Sequence, residues 1–301
     1  MIRRTVPQKT ISKETKLSGV GLHTGEHVNI TFKPAPADTG LVFVREDIKG
    51  DNLINAHIKY ISNTDRGTNL DNGAFRIHTC EHVLAAITGL EIDNCYICLD
   101  GPEVPIMDGS SKFFINALEE AKIVEQNVLR EEFFPSEPIT YECEDSGSRI
   151  SIIPDDNYKV NTIVDYKTKV LGEQEASINH ISEFKKEISS ARTFSFLHEL
   201  ETLLENGLIK GGDLNNAIVY VDKPLAESNM DILKKAFNKD SISVTPNGIL
   251  DNLNLHYPNE AARHKLLDVI GDLALIGMKI RGKVIAEKPG HSINAKFAEK
   301  V

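Results

Sequence analysis

The chain has 301 residues and a net charge of −10, from 44 acidic and 34 basic side chains. Its length allows two modest domains or one large domain, and its excess of acids disfavours nucleic-acid binding, which requires a strongly positive surface. The N-terminal MIRRTVPQKT has no apolar segment after its arginines, and no apolar run approaches the ~20 residues of a membrane span. We therefore expect a cytoplasmic protein without a transmembrane segment.

Hydrophobic periodicity predicts a sheet and two helices in the first half of the chain. The predicted elements are two strands around a glycine-rich turn within residues 9–33, helices at 79–90 and 112–122, and strands at 41–44, 54–60 and 92–99. Cys95 and Cys98 form a CxxC motif in the last of these strands. A strand places residues three apart on opposite faces, and no second CxxC completes a zinc site. We therefore expect two buried thiols rather than metal ligands.

The second half repeats this plan after a polar stretch, EQNVLREEFFPSEP, so we predict a domain boundary near residue 129 and two domains, 1–128 and 129–301. Its predicted elements are helices at 194–206 and 259–276 and strands near 138–143, 149–154, 158–166, 217–221 and 283–287. Two successive halves of sheet and helices indicate an α+β fold.

The predicted helix 259–276 carries the most informative polar stripe. His264, Asp268 and Asp272 are each four residues apart and fall on one face, opposite an apolar face, with Lys265 beside them. A His and an Asp at this spacing can reach one divalent cation, and an Asp one turn further can orient another catalytic group. The alternative is a solvated helix face, whose side-chain pairs are worth ~0.2–0.5 kcal/mol each.

A second candidate lies in the segment IHTCEHVLAA. Here Glu81 precedes His82, an order that differs from the HExxH motif of zinc proteases. His82 with His264 and Asp268 would make two histidines and one carboxylate, the ligand set of an open zinc site, which also suits iron(II). Glu81, adjacent to a ligand, is then a candidate general base.

Three further polar positions have a structural and a functional interpretation. Thr79 is a candidate helix N-cap, which would leave His78 outside the helix and away from any metal. Thr193, in ARTF, either caps the predicted helix 194–206 or donates a hydrogen bond to a ligand. His291 follows Gly290 in the turn KPGH and is either a surface histidine or a general acid or base.

Seven segments together identify a family. They are GVGLHTG, TCEHVLAAITGLEIDN, GPEVPIMDGSSKFF, ARTFSF, GLIKGGDLNNAIV, RHKLLDVIGDL and KPGHSIN. In this order, and over nearly the whole chain, they resemble UDP-3-O-acyl-N-acetylglucosamine deacetylase, the zinc enzyme of the committed step of lipid A biosynthesis. The resemblance implies two α/β sandwich domains, each a sheet packed with two helices, with the active site between them. It also implies hydrolysis of the N-acetyl group of UDP-3-O-[(3R)-3-hydroxyacyl]-N-acetylglucosamine to acetate and UDP-3-O-acyl-glucosamine.

The matched motifs carry the family's site residues onto this chain. The implied ligands of one Zn²⁺ per chain, with Fe²⁺ as an alternative in the cell, are His82, His264 and Asp268. The implied catalytic residues are the base Glu81, the acid His291, its supporting Asp272 and the oxyanion donor Thr193. The implied substrate contacts are Lys265 and Lys288 at the diphosphate, Asp165 and Tyr166 at the uracil, Ile209, Leu214 and Val219 along the acyl passage, and Phe194.

The chain departs from the family pattern at two places. Pro289 occupies a position where a small residue is expected, and residues 222–258 form a longer connector that contains its own helical stretch, DILKKAFNK. The longer connector resembles the branch of the family that is fused to a 3-hydroxyacyl-ACP dehydratase. A fused dehydratase domain in the full-length protein is therefore an expected partner, beside the acylated UDP-sugar substrate.

Two other classes of function remain open from the residues alone. A non-catalytic protein that binds a nucleotide sugar or lipid would have no need of a base at Glu81. A metalloprotease with an unusual ligand order would have no need of a uracil-stacking side chain at Tyr166.

Overall fold

The computed structural model describes residues 2–199, 210–223, 234, 240–250 and 253–301. Its strands are β1 Ile2–Ile11, β2 Thr15–Val20, β3 His27–Pro34, β4 Leu41–Arg45, β5 Leu53–Asn55, β6 Ile61–Asn63, β7 Asn69–Asp71, β8 Arg76–Ile77, β9 Cys95–Leu99, β10 Ile123–Phe133, β11 Ile139–Cys143, β12 Ser148–Ile153, β13 Tyr158–Asp165, β14 Glu173–Ile178, β15 Phe194–Phe196, β16 Ile218–Tyr220, β17 Lys279–Ile280 and β18 Gly282–Glu287. Its α-helices are α1 Glu81–Gly89, α2 Lys112–Glu120, α3 Phe184–Glu187, α4 Glu260–Leu273 and α5 His291–Lys300. Short 3-10 helices span Ile58–Tyr60, Ile181–Glu183 and Ala274–Ile276. Within these described ranges, no helix has the length and apolar character needed to cross a membrane.

The first half of the chain forms a five-stranded sheet in the order β2-β3-β9-β4-β5. In β3, Val28, Ile30 and Phe32 alternate with more exposed residues and are fully buried, as the period of a strand with one core face requires. Helix α2 packs on β2 and against α1. This half is therefore a sheet with two helices, as the sequence predicts.

The second half forms another five-stranded sheet, in the order β11-β12-β18-β13-β14. Strand β13 alternates in the same way and buries Tyr158, Val160 and Val164. Helix α4 packs against β13 and β14, and α5 packs against β11 and β12. The predicted α+β fold is confirmed. In this half, however, the second helix on the sheet is α5, which the sequence analysis did not predict, and not the predicted helix 194–206.

Helices α1 and α4 pack directly on each other and join the two halves. Gly271 permits their close approach, because a Cβ atom at this position would lie 2.1 Å from the backbone oxygen of Glu81. The first turn of α1, which carries Glu81 and His82, therefore lies against α4.

A three-stranded sheet, in the order β1-β10-β17, lies where the polar stretch suggested a linker. Strand β10 pairs antiparallel with β1 along much of its length and parallel with β17. Leu129, at the predicted domain boundary, lies within β10 opposite Pro7. The stretch EQNVLREEFF is polar because most of β10 is exposed to solvent or only partly covered. The division into domains 1–128 and 129–301 stays a prediction.

Two predicted elements are wrong in detail. Segment 54–60 is not one strand, because β5 ends at Asn55 and a 3-10 helix follows. The predicted helix 194–206 starts instead with β15, which pairs in parallel with β16, and only residues 197–199 of it are helical among those described. Residues 200–206 and most of DILKKAFNK lie outside the described residues.

The CxxC pair behaves as predicted. Cys95 and Cys98 lie in β9, and both side chains are buried free thiols. Burial raises the pKa of Cys95 to about 12 and that of Cys98 to about 11, so both stay protonated at neutral pH. They therefore contribute to the core of the first sheet.

Candidate metal centre and active site

Three buried side chains meet where α1 contacts α4. His82 comes from the first turn of α1, and His264 and Asp268 lie one turn apart on α4. Their ligand atoms lie within 4.8 Å of one another. Asp268 Oδ1 is 3.4 Å from His264 Nε2 and 3.8 Å from His82 Nε2. We call these three residues the ligand cluster.

The hydrogen bonding of the ligand cluster fits a divalent cation. Asp268 Oδ1 is buried and has no hydrogen-bond partner in the described part of the chain. His264 Nδ1 lies 3.1 Å from the carbonyl oxygen of Ala191, which can only accept, so Nδ1 carries the proton and Nε2 keeps its lone pair. Burial, with the neighbouring imidazole, lowers the pKa of His82 to about 3, and burial also lowers the pKa of His264. Both imidazoles are thus neutral, which is the form that binds a metal.

The carboxylate of the cluster is held ionised by a lysine. Asp268 Oδ2 accepts a hydrogen bond of 2.8 Å from Lys265 Nζ. Burial acts to raise the pKa of Asp268, but the positive charges of Lys265 and His291 oppose it and the pKa is lowered. The set of two neutral nitrogens and one anionic oxygen leaves a position open, as in catalytic zinc sites, and equally suits iron(II).

Glu81 is the first residue of α1 and lies beside the ligand cluster. Its Oε2 accepts a hydrogen bond of 2.9 Å from the backbone N–H of Thr68, and its Oε1 lies 4.0 Å from Nε2 of His291. Burial raises the pKa of Glu81 to about 7, although the nearby His291 opposes this shift. The carboxyl group can therefore exchange a proton near neutral pH, as a general base must.

His291 is the first residue of α5 and also lies beside Glu81. Its Nδ1 lies 2.9 Å from Asp272 Oδ2, and its Nε2 lies 4.0 Å from Asp268 Oδ2. Burial acts to lower the pKa of His291, but Asp272 and Asp268 outweigh it and raise the pKa to about 9. At neutral pH the ring is an imidazolium, so Nδ1 donates to Asp272 and Nε2 keeps a proton on the side of Glu81.

Two polar residues that the sequence analysis missed complete this network. Thr68 donates its hydroxyl to Asp272 Oδ1 at 2.5 Å, in addition to its backbone contact with Glu81. Asn294 Nδ2 donates to Asp272 Oδ2 at 2.8 Å. Asn294 could have been predicted from the sequence, since it lies three residues after His291 and therefore on the same helix face. Thr68 has no comparable local signal, because only the tertiary fold brings it to Asp272.

Comparison with known proteins decides the family. The chain matches the model of the family described as LpxC, UDP-3-O-acyl N-acetylglycosamine deacetylase, over residues 8–232 and 227–301. It is also 36% identical over 296 residues to a UDP-3-O-acyl-N-acetylglucosamine deacetylase of Myxococcus xanthus, an alignment that covers 98% of this chain and 86% of that relative. The chain belongs to the LpxC deacetylase family.

Other LpxC relatives are longer proteins. A bifunctional enzyme LpxC/FabZ of Chlorobaculum tepidum is 43% identical over 98% of this chain, and one of Bacteroides thetaiotaomicron is 41% identical over 98% of it. The chain spans 64% of the length of each of these two relatives. It therefore corresponds to one part of the bifunctional enzymes.

Three of the substrate contacts expected for an LpxC protein meet beside the ligand cluster. The ring of Phe194 lies 6.3 Å from that of His264 and 5.5 Å from that of Tyr166, centroid to centroid. Lys265 Nζ lies 5.6 Å from the Phe194 centroid. Burial acts to lower the pKa of Lys265, but Asp268 outweighs it and raises the pKa, so the side chain stays cationic. The aromatic pair and this cation form one wall of the site.

The other expected contacts are more dispersed. Asp165, at the end of β13, accepts a hydrogen bond from the backbone N–H of Lys167, and Lys288 is exposed in the turn before α5. Leu214 and Val219 are buried. Ile209 lies outside the described residues. The substrate roles of all these residues stay predictions for an LpxC protein.

Neither of the two candidate helix caps, Thr79 and Thr193, caps a helix. Thr193 precedes strand β15 rather than a helix, and its backbone N–H donates to the carbonyl oxygen of Gly109 at 2.8 Å. Thr79 has a left-handed φ of 58° and donates its hydroxyl to the buried carboxylate of Glu103 at 3.0 Å, so α1 begins only at Glu81. The ligand cluster does not include His78, which instead lies 3.1 Å from Asn69 Oδ1 through its Nδ1.

Proposed function

We propose that this chain is a zinc-dependent amidohydrolase that removes the N-acetyl group from UDP-3-O-[(3R)-3-hydroxyacyl]-N-acetylglucosamine, in the cytoplasm, as a step of lipid A biosynthesis. Membership of the LpxC family supports this substrate. The observation that carries the proposal is the position of Glu81 and His291 beside the ligand cluster, 4.0 Å from each other. A non-catalytic binding protein would have no need of this pair.

The ligand cluster would hold one Zn²⁺ through His82 Nε2, His264 Nε2 and Asp268 Oδ1, and the same set suits Fe²⁺. When bound, the cation supplies Lewis-acid chemistry to the amide carbonyl. The protein contributes the orientation of the ligands. Ala191 fixes the tautomer of His264, and Lys265 holds the second oxygen of Asp268.

The pKa values of both titratable groups beside the cluster are raised, and that of His291 lies above that of Glu81, which supports an assignment of Glu81 as the base and His291 as the acid. Glu81, with its pKa raised to about 7, takes a proton from the water that attacks the acetamide carbonyl. His291, with its pKa raised to about 9, is protonated at neutral pH and stabilises the developing charge or protonates the departing amine. Asp272 keeps the His291 ring oriented through the Nδ1 hydrogen bond.

The remaining predicted contacts give the substrate its orientation. Thr193 donates to the oxyanion. The diphosphate pairs with Lys265 and Lys288, and the uracil stacks on Tyr166 beside Asp165, with Phe194 adjoining. The acyl chain runs along the apolar side chains of Ile209, Leu214 and Val219.

Metal analysis combined with acetate release from the acylated UDP-sugar tests this function. We expect one zinc or iron ion per chain and acetate as a product. Glu81→Ala should lower turnover by ~10²–10⁴-fold while the metal stays bound, and His82→Ala should lose the metal. The matched control is His78→Ala, which should keep both metal and turnover. Hydrolysis of peptides instead of the nucleotide sugar, or turnover that survives Glu81→Ala, would contradict the proposal.

The bifunctional relatives support a second proposal, that the full-length protein joins this chain to a dehydratase. Sequencing the source reading frame beyond the codon for Val301 tests it. A stop codon directly after Val301 would refute it.

A further inference from the structure

A cavity of about 780 Å³ lies away from the ligand cluster. It is lined at the C-terminal ends of α1 and α4, whereas His82 lies in the first turn of α1. A smaller cavity of about 130 Å³ shares five lining residues with it. The shared residues, which mark the junction of the two cavities, are Thr88, Arg130, Tyr158, Lys279 and Ile280. The volume of the larger cavity is that of a small-molecule site.

Three polar atoms at this junction lack partners. Thr88 Oγ1, Tyr158 Oη and Arg130 Nε are buried and form no hydrogen bond with any described residue. The three residues are 5%, 7% and 3% exposed, respectively. Buried polar groups in folded proteins are nearly always hydrogen-bonded. Because both hydroxyls can donate and Nε–H can only donate, the junction is suited to a ligand with acceptor oxygens.

The junction contains one cation that makes no direct ion pair with a described carboxylate. The two terminal nitrogens of Arg130 are already used, since Nη1 donates to Glu91 Oε1 at 3.1 Å and Nη2 to Asp93 Oδ2 at 2.8 Å. Lys279 differs, because its Nζ donates to the carbonyl oxygen of Ile92 at 2.8 Å and forms no ion pair within the described ranges. Burial lowers the pKa of Lys279 to about 8, which leaves it mostly cationic at neutral pH. Asp93 and Glu91 lie near enough to raise the pKa of Lys279, but neither contacts its ammonium group in the described part of the chain.

We propose that the junction is a binding site for an oxyanion, a carboxylate or phosphate group, which accepts hydrogen bonds from Thr88, Tyr158 and Arg130 Nε and pairs with Lys279. The larger cavity also presents apolar side chains, including Leu41 and Leu273, to the rest of such a molecule. This site is separate from the proposed acetamide and diphosphate sites, because none of its residues belongs to the ligand cluster or its surrounding network.

Calorimetric titration of the metal-loaded chain tests the site with two probes, inorganic phosphate and octanoate, and with octanamide as the uncharged control. We expect saturable binding of at least one anion at one per chain. Thr88→Val and Lys279→Met should each weaken it about tenfold, the effect of one hydrogen bond to a charged group. The matched control is Thr162→Val, since Thr162 Oγ1 is also buried and unpartnered but lines neither cavity.

The outcomes separate the two sources of oxyanion. Binding of phosphate alone assigns a phosphate group, and binding of octanoate but not octanamide assigns a carboxylate. If either cavity variant fails to fold, Tyr158→Phe replaces it with the same expected loss. Three results would overturn the site: no saturable binding of either anion, affinities that the cavity variants leave unchanged, or crystals grown with the probes that contain only ordered water at the junction.

Discussion

Replacing Gly271 with alanine perturbs a close backbone contact between α1 and α4. The added Cβ would lie 2.1 Å from the backbone oxygen of Glu81, whereas ordinary van der Waals contact begins at 3.4 Å. The helices must therefore separate by about 1 Å at this point, because a backbone oxygen cannot rotate away as a flexible side chain can. Overpacking of this kind lowers the free energy of unfolding by ~1–3 kcal/mol, and we expect a value at the upper end of that range here. This cost is partly offset, because alanine is ~1 kcal/mol more favourable than glycine in the interior of a helix.

The net expectation for Gly271→Ala is a loss of about 2 kcal/mol in the free energy of unfolding, measured by urea denaturation. Because the displaced turn of α1 carries His82, metal affinity measured by competition with a chelator should fall as well. The control for stability is Gly290→Ala, whose Cβ would meet no atom within 4 Å and whose backbone is extended. Gly271→Ala with unchanged or increased stability and unchanged metal affinity would refute the reasoning.

Three further predictions concern His291, the buried ion pair between Arg192 and Glu260, and the metal. Asp272→Asn removes the main contribution that raises the pKa of His291. Activity that requires protonated His291 is lost as pH rises through about 9, so in this variant the alkaline limb of the pH profile of kcat/KM should move to lower pH; an unmoved limb would contradict the assignment of His291 as the acid. Glu260→Ala leaves Arg192 without its buried partner at 2.8 Å and should lower the free energy of unfolding by ~3–5 kcal/mol, as measured in urea. Removal of the metal by a chelator should abolish acetate release, and added zinc should restore it; hydrolysis by the metal-free chain would exclude the proposed chemistry.

Local spacing predicts the parts of the site that lie within one helix. His264 and Asp268 are one turn apart, and their ligand atoms indeed converge. Spacing does not bring His82 to them, because it lies on another helix in the other half of the chain. That connection rested on the chemistry of the ligand set and on the family resemblance, and in the fold it depends on the close packing of α1 on α4.

The errors in the predicted elements have two different causes. Alternation of apolar and polar residues indicates a strand when one face is buried and the other is exposed. Strand β10 is mostly exposed or partly covered along EQNVLREE, so it has the composition of a linker although it pairs with β1 over much of its length. Phe194 and Phe196, in contrast, have the two-residue spacing of a strand, but the apolar residues that follow them have helical spacing, so the helix was predicted to start too early; pairing with β16 makes this segment a strand.

The polar stripe on α4 shows how hydrogen bonding distinguishes a ligand from a positioning group. By spacing alone, Asp268 and Asp272 are equivalent. In the fold, Asp272 accepts from Thr68, His291 and Asn294, so both of its oxygens are occupied. Asp268 accepts only from Lys265 through Oδ2, and its Oδ1 has no partner in the described part of the chain although it is buried. Because a buried carboxylate oxygen is costly to leave unmatched, the oxygen suited to a cation is that of Asp268, and Asp272 is suited to orient His291.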